Sequence, residues 1–265
     1  MKTVSIEKLL IWAFTQELPK VGSGDLSLGI GLSSAWAMTR DFAVLGTLID
    51  RSPNIYGVVP DFVEYGEPHP DALAAGAAVR ALAEMSFSIP EGWQPFPEWS
   101  DEHGLIAAEV GRVVEEQRLK GDRLSGRYVV ALVTGSAILG FGPDWRADKP
   151  KVQEVTHAGK PAWFVTRKTR DAFGRVYEYE TDGFDRRKQR PVKGAFRKYA
   201  LSEPIRGAIL SRLEWELWQD ALAYLARSLA NRLESHAIAA FVPDRHPWRR
   251  RARSANSSQA VDMAG

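Results

Sequence analysis

The densest set of chemically useful side chains is basic. Residues 160–198 hold Lys160, Arg167, Lys168, Arg170, Arg175, Arg186, Arg187, Lys188, Arg190, Lys193, Arg197 and Lys198 against five acids, a local net charge of +7. Between them stand Trp163, Phe164, Phe173, Tyr177, Tyr179, Phe184, Phe196 and Tyr199. Clustered cations neutralise phosphates and release condensed counterions, and aromatic rings offer single-stranded bases a surface to stack on. Arg245, Arg249, Arg250, Arg251 and Arg253 add charge further along. The seven cations from Arg186 to Lys198 have only Asp182 and Asp185 near them in sequence, so residues 186–198 and 249–253 are the foremost expected phosphate contacts, with Arg167, Lys168, Arg170 and Arg175 as further nucleic-acid-binding candidates. No defined DNA-binding motif accompanies the cluster, and a solvated hairpin with a solubilising tail is the plain alternative.

Two smaller constellations carry acid–base or metal chemistry. Glu178, Glu180 and Asp182 alternate, so a strand would point them to one face. With Asp185, Arg187 and Lys188 beyond them, they match in outline a magnesium nuclease, which needs converging carboxylates and a lysine near the scissile phosphate. Cross-strand pairing with Arg167, Lys168 and Arg170 is the favoured reading of the same acids. The histidines are His69, His103, His157, His236 and His246, with no HxxxH spacing. Glu67, His69 and Asp71 form an acid–imidazole cluster suited to a metal or a base, but Pro68 and Pro70 favour a rigid linker and a helix cap. There is no GxSxG, and the absence of cysteine excludes disulfides, thiolate metal sites and cysteine nucleophiles. No catalytic residue, metal ligand or cofactor is assigned, and a non-enzymatic protein is favoured over an enzyme.

The elements that must position these residues are mostly helical in pattern. Leu9, Leu10, Ala13 and Phe14 have helical spacing, with Ser5 as cap and Pro19 as stop. The glycine-rich KVGSGDLSLGIG fits neither phosphate-loop pattern and reads as a loop, and helical spacing resumes over 34–50. After the Pro- and Gly-rich 51–70, Asp71 opens an alanine-rich helix as N-cap or first-turn acid. Ser100 is the expected cap of a helix carrying Ile106, Val110, Val113 and Gln117 on one stripe. The run Tyr128 to Phe141 reads as a buried strand or a buried helix, and its helical neighbours favour helix. Residues 163–169 and 176–181 alternate around Asp171–Gly174, which predicts a hairpin. Last comes a helix of roughly 30 residues, capped by Ser202, whose face Leu213, Leu217, Trp218, Leu222 and Leu225 should be buried.

A length of 265 residues allows one large domain or two small ones. At 45% hydrophobic and 26% charged residues there is material for a core. The apolar centre near the N-terminus spans only Leu9 to Phe14, too short for a signal peptide or membrane span, so a cytoplasmic protein without membrane attachment is expected. The formal charge of +2 conceals a split: residues 1–120 carry a net −8 and residues 121–265 a net +10. Such asymmetry points to a polyanionic partner or to mutual attraction of the halves.

The stretches LLIWAFTQELPK, EPHPDALAAGAAVRAL, GKPAWFV, YEYETDGFDRRKQRPVKGAFRKYAL and LEWELWQDALAYLARSLANRL, with a closing HPW, together resemble an uncharacterised family of phage-related proteins of alphaproteobacterial prophages, over most of residues 6–248. The resemblance implies a phage-type context in which nucleic-acid-handling and regulatory proteins are common, and it carries no catalytic residue. The expected fold is mainly α with a small α+β C-terminal unit, a β-hairpin plus a long amphipathic helix. Its expected domains are a helical 1–142, an α+β 143–248 and a disordered basic tail, 249–265. The leading function is a nucleic-acid-binding regulator of transcription or replication that uses residues 160–198. An adaptor that binds host transcription or replication machinery, with a host or phage protein as partner, and a magnesium-dependent nuclease remain as alternatives.

Overall fold

The structure is a computed structural model and describes residues 1–21, 56, 58, 61–65 and 67–249. The glycine-rich stretch from Gly22, the helix expected over 34–50 and the tail from Arg250 lie outside the described residues. The chain groups into two compact units. One comprises Met1–Pro95, Val114–Arg146 and Leu210–Gly265, the other Phe96–Val113 and Ala147–Ile209.

The first unit opens with β1 (Lys2–Val4) and α1 (Ile6–Trp12). Ser5 is extended and its Oγ accepts the Lys8 N–H at 3.3 Å, satisfying one of the donors that a helix start leaves free. α1 widens into a π-helical turn at Ala13–Glu17, after which β2 (Lys20–Val21) pairs in parallel with β3 (Asp61–Tyr65). α2 (Pro70–Ala81) has proline in its first turn, where the missing N–H costs nothing, and buries Ala72, Ala75 and Ala78. α3 (Leu105–Lys120), of which Leu105–Val113 belongs to the second unit, is followed by α4 (Gly126–Leu139), which settles the ambiguous run as a helix capped by Ser125. A β-carbon on Gly126 would collide with the carbonyl oxygens of Leu82 and Met85, so only glycine lets α4 start against that turn. α5 (Arg206–Leu229) buries Leu213, Leu217, Trp218, Leu222 and Leu225, as its spacing requires. α1, α4 and α5 line an apolar cavity of about 210 Å³ through Leu10, Val133, Ala137, Trp218 and Leu222.

The second unit is built from short antiparallel pairs. β4 (Val152–Glu154) pairs with β11 (Tyr199–Leu201), β5 (Thr156–His157) with β6 (Lys160–Pro161), and β9 (Phe184–Asp185) with β10 (Arg190–Pro191). The expected hairpin is present as β7 (Phe164–Arg170) and β8 (Val176–Asp182). Its turn is fixed by Asp171, whose Oδ1 accepts the Phe173 and Arg175 N–H groups at 2.9 and 2.8 Å, and by Gly174 at φ 78°. At its base, Phe164 exchanges backbone hydrogen bonds with Phe196, and a β-carbon on Gly183 would meet the Phe164 backbone at 2.8 Å. Beyond that base most residues on both strands are exposed.

The fold is mixed α/β and not mainly α with one C-terminal hairpin unit. Strands occur in the N-terminal part, where β1 pairs in parallel with β12 (His236–Ile238), and the hairpin is one of several small sheets. Strands of two or three residues are too short to display an alternating pattern, and β1 finds its partner far along the chain. Two caps also differ from expectation. α3 starts at Leu105 rather than after Ser100, because Asp101 reaches forward to accept the Ala107 N–H at 2.8 Å. Ser202 Oγ accepts the Lys151 N–H at 3.0 Å, and α5 begins only after Ile205, whose carbonyl takes the Ile209 N–H.

Candidate functional site

The hairpin unit carries eleven of the expected phosphate-contacting residues. Four have carboxylate partners. Lys168 lies 3.0 Å from Glu178 and Arg186 3.9 Å from Asp182, Arg197 pairs with Glu154 at 2.8 Å, and Lys198 pairs with Glu180. Among the described residues, Arg167, Arg170, Arg175, Arg187, Lys188, Arg190 and Lys193 have no carboxylate within ion-pair distance. All seven are exposed. Exposed Arg249 ends the described chain, and Arg250 and Arg251 lie outside it.

The register sorts the hairpin's side chains. Residues directly opposite in an antiparallel pair share a face. One face takes the pairs Phe164–Asp182, Thr166–Glu180, Lys168–Glu178 and Arg170–Val176, and the other takes Val165–Thr181, Arg167–Tyr179 and Thr169–Tyr177. Glu178, Glu180 and Asp182 therefore do share a face, each beside a cation. Of the three cations expected to oppose them, only Lys168 does so; Arg167 stands opposite Tyr179 and Arg170 opposite Val176. Asp182 and Asp185 also hold the chain that follows, Asp182 accepting the Phe184 N–H at 2.9 Å and Asp185 those of Arg187 and Lys188 at 2.9 and 3.1 Å. The cations in the 186–190 turn are all exposed.

The other unit assembles a cluster that the sequence only half announces. His69 caps α2, its Nδ1 accepting the Asp71 N–H at 3.0 Å, and Asp71 is the first-turn acid. The Asp71 side chain is buried. Its Oδ1 accepts the Glu234 N–H at 2.6 Å. Its Oδ2 accepts the N–H groups of Ser235 and His236 at 3.0 and 2.9 Å, and His236 Nδ1 lies 2.8 Å away. Trp12 packs on both imidazoles, with centroids 5.4 Å from His69 and 4.8 Å from His236. Glu67 is exposed and outside this group. Burial would raise the Asp71 pKa, but the Glu234, His236 and Ser235 donors outweigh it and hold the carboxyl below its ordinary value. Glu17 behaves alike. Burial opposes its ionisation, while Lys20, at 2.9 Å, and the His69 N–H hold it low.

His69, Asp71 and His236 have the side-chain types of a metal site. Their hydrogen bonds leave little for an ion. Because Nδ1 of His69 accepts a backbone N–H, the proton of the neutral ring sits on Nε2, and no lone pair remains. Asp71 already accepts four hydrogen bonds, so the one free ligand atom is His236 Nε2. The arrangement is a hydrogen-bonded lock. A groove of about 520 Å³ beside it is lined by Lys2, Lys8, Trp12, Gln16 and His236.

A second buried carboxylate lies on α5. Glu216 Oε1 accepts the Trp93 indole N–H at 2.9 Å and lies 3.4 Å from His246 Nε2. Burial raises its pKa more than Trp93, Arg245 and Arg249 lower it. His246 is itself held low, first by burial and then by Arg249 and Arg245. Buried Arg212 lies with its guanidinium 4.6 Å from the Trp248 ring, which fastens the closing HPW segment to the unit.

Sequence reasoning missed His236 as a partner of Asp71, 165 positions away, and nothing local to either residue signals the pairing. Among the described residues, no helix is long and apolar enough to cross a membrane. The chain matches no family model, no curated protein and no solved structure.

Proposed function

We propose that this protein binds nucleic acid through the hairpin unit, as a regulator of the kind that controls transcription or replication. One observation carries the reading: seven exposed cations between Arg167 and Lys193 have no carboxylate partner among the described residues, on and beside an arm exposed on both faces. Like charges at that density repel, and the repulsion is relieved when a polyanion displaces condensed counterions. The resemblance to phage-related proteins fits as context, and the cytoplasm is the compartment such a role calls for.

The test is fluorescence anisotropy with labelled oligonucleotides at about 50 mM salt, where phosphate contacts are strong. Saturable binding that weakens as salt rises is the expected result. No detectable affinity for duplex or single strand overturns the reading. The adaptor alternative then leads, on the strength of the exposed apolar side chains Phe173 and Val176 near the hairpin tip. Capture of a host protein that survives nuclease treatment would support it.

A further inference from the structure

We propose that the carboxylate-free face of the β7–β8 hairpin makes the protein prefer single-stranded over duplex nucleic acid, by stacking bases on Tyr177 and Tyr179. The inference rests on the nucleic-acid reading above and adds the form of the ligand.

The hairpin's three strand acids all fall on one face, beside Lys168 and Arg170. The opposite face carries Arg167, Tyr177 and Tyr179 among Val165, Thr169 and Thr181, with no carboxylate among the paired residues of the two strands. Tyr177 and Tyr179 are 51% and 42% exposed, and their ring centroids stand 6.3 Å apart. Strand propensity accounts for tyrosine in a strand. It does not account for two exposed rings beside an arginine on the one face from which acids are excluded. Phe173, in the turn between the strands, is 88% exposed.

The occupant follows from the two chemistries present. Arg167 and its unpaired neighbours attract phosphate, which both nucleic-acid forms offer. Exposed aromatic rings gain only where base faces are free, as in a single strand, because duplex bases are already stacked on each other. A tyrosine ladder also tolerates any sequence, since every base has a π-face.

The experiment compares the full chain with two double variants, Tyr177→Ala/Tyr179→Ala and Tyr177→Phe/Tyr179→Phe. The ligands are a labelled oligo-dT and a labelled duplex of the same length. The wild type should bind oligo-dT more tightly than duplex. The alanine pair should weaken oligo-dT binding by about tenfold or more, since stacking contributes substantially per base. Duplex affinity and the salt dependence should stay unchanged, and the phenylalanine pair should behave as wild type. Equal affinity for both forms, or an alanine pair that loses duplex binding as much as oligo-dT binding, overturns the inference while the broader reading stands. A wild type that binds neither ligand overturns both.

Discussion

The carboxylate of Asp71 lies 2.8 Å from the Nδ1 of His236, across 165 positions of sequence. Asp71 sits in the first turn of α2, and His236 is the first residue of β12, which pairs with β1. One side chain thereby fastens a helix start to the strand that pairs in parallel with β1. The helix dipole and three backbone N–H donors compensate its charge where solvent does not reach.

Replacing Asp71 tests that fastening. Asp71→Ala leaves the N–H groups of Glu234, Ser235 and His236 without their acceptor, each costing about 1–3 kcal/mol where it stays buried. A loss of about 3 kcal/mol or more in chemical denaturation is expected, with a smaller loss for Asp71→Asn, which keeps one acceptor oxygen. A loss within about 0.5 kcal/mol, as at an ordinary surface position, would show that the lock contributes nothing.

The same carboxyl sets an acid limb. Asp71 and Glu17 both hold pKa values below their ordinary ones, so each stabilises the fold above its unfolded value, about 4, and loses that contribution as pH falls through the folded value. Denaturation midpoints measured across pH 2–5 should fall more steeply in the wild type than in Asp71→Asn (the window follows the carboxylate range). Parallel curves would contradict the assignment.

Glu216 has the opposite sign. Its pKa is raised, so ionisation costs stability as pH rises from the unfolded value, about 4.3, through the folded one, and the cost persists above it. Glu216→Gln keeps an acceptor for the Trp93 indole and removes the charge. The variant should be more stable than wild type at pH 7, with the difference vanishing at low pH. A variant less stable at pH 7 would show that the Arg245, Arg249 and His246 neighbours favour the ionised form.

Trp218 measures the docked face of α5. Its indole packs so closely over Gly142 that a β-carbon there would lie 2.6 Å away. Trp218→Ala should cost about 3–5 kcal/mol in chemical denaturation, and a loss under about 1 kcal/mol would contradict its burial.

What the sequence conveyed was what is local and periodic. Ser5 as cap, the Asp171–Gly174 turn and the broad apolar face of α5 each depend on residues within a few positions of one another, and each is present. The pairing of β1 with β12 and the Asp71–His236 contact are set by tertiary packing and leave no pattern in either segment. Ser100 and Ser202 have the residue type of caps, yet Asp101 satisfies the α3 start and Ser202 holds Lys151 instead. At the basic site, composition gave the cations. Only the strand register and the ion pairs separate the four with carboxylate partners from the seven without one among the described residues.

The salt dependence of binding tests the central claim most directly. Each neutralised phosphate adds about 0.9 to the magnitude of the slope of log K against log salt on duplex DNA. Arg187, Lys188 and Arg190 are exposed, carry no ion pair among the described residues and take no part in the core, so replacing all three by alanine should leave the fold intact. The triple variant should flatten the duplex slope by roughly 2–3 and weaken binding to all sequences alike. A slope identical to that of the wild type, or a loss confined to one sequence, would contradict the assignment of these residues to phosphate contacts.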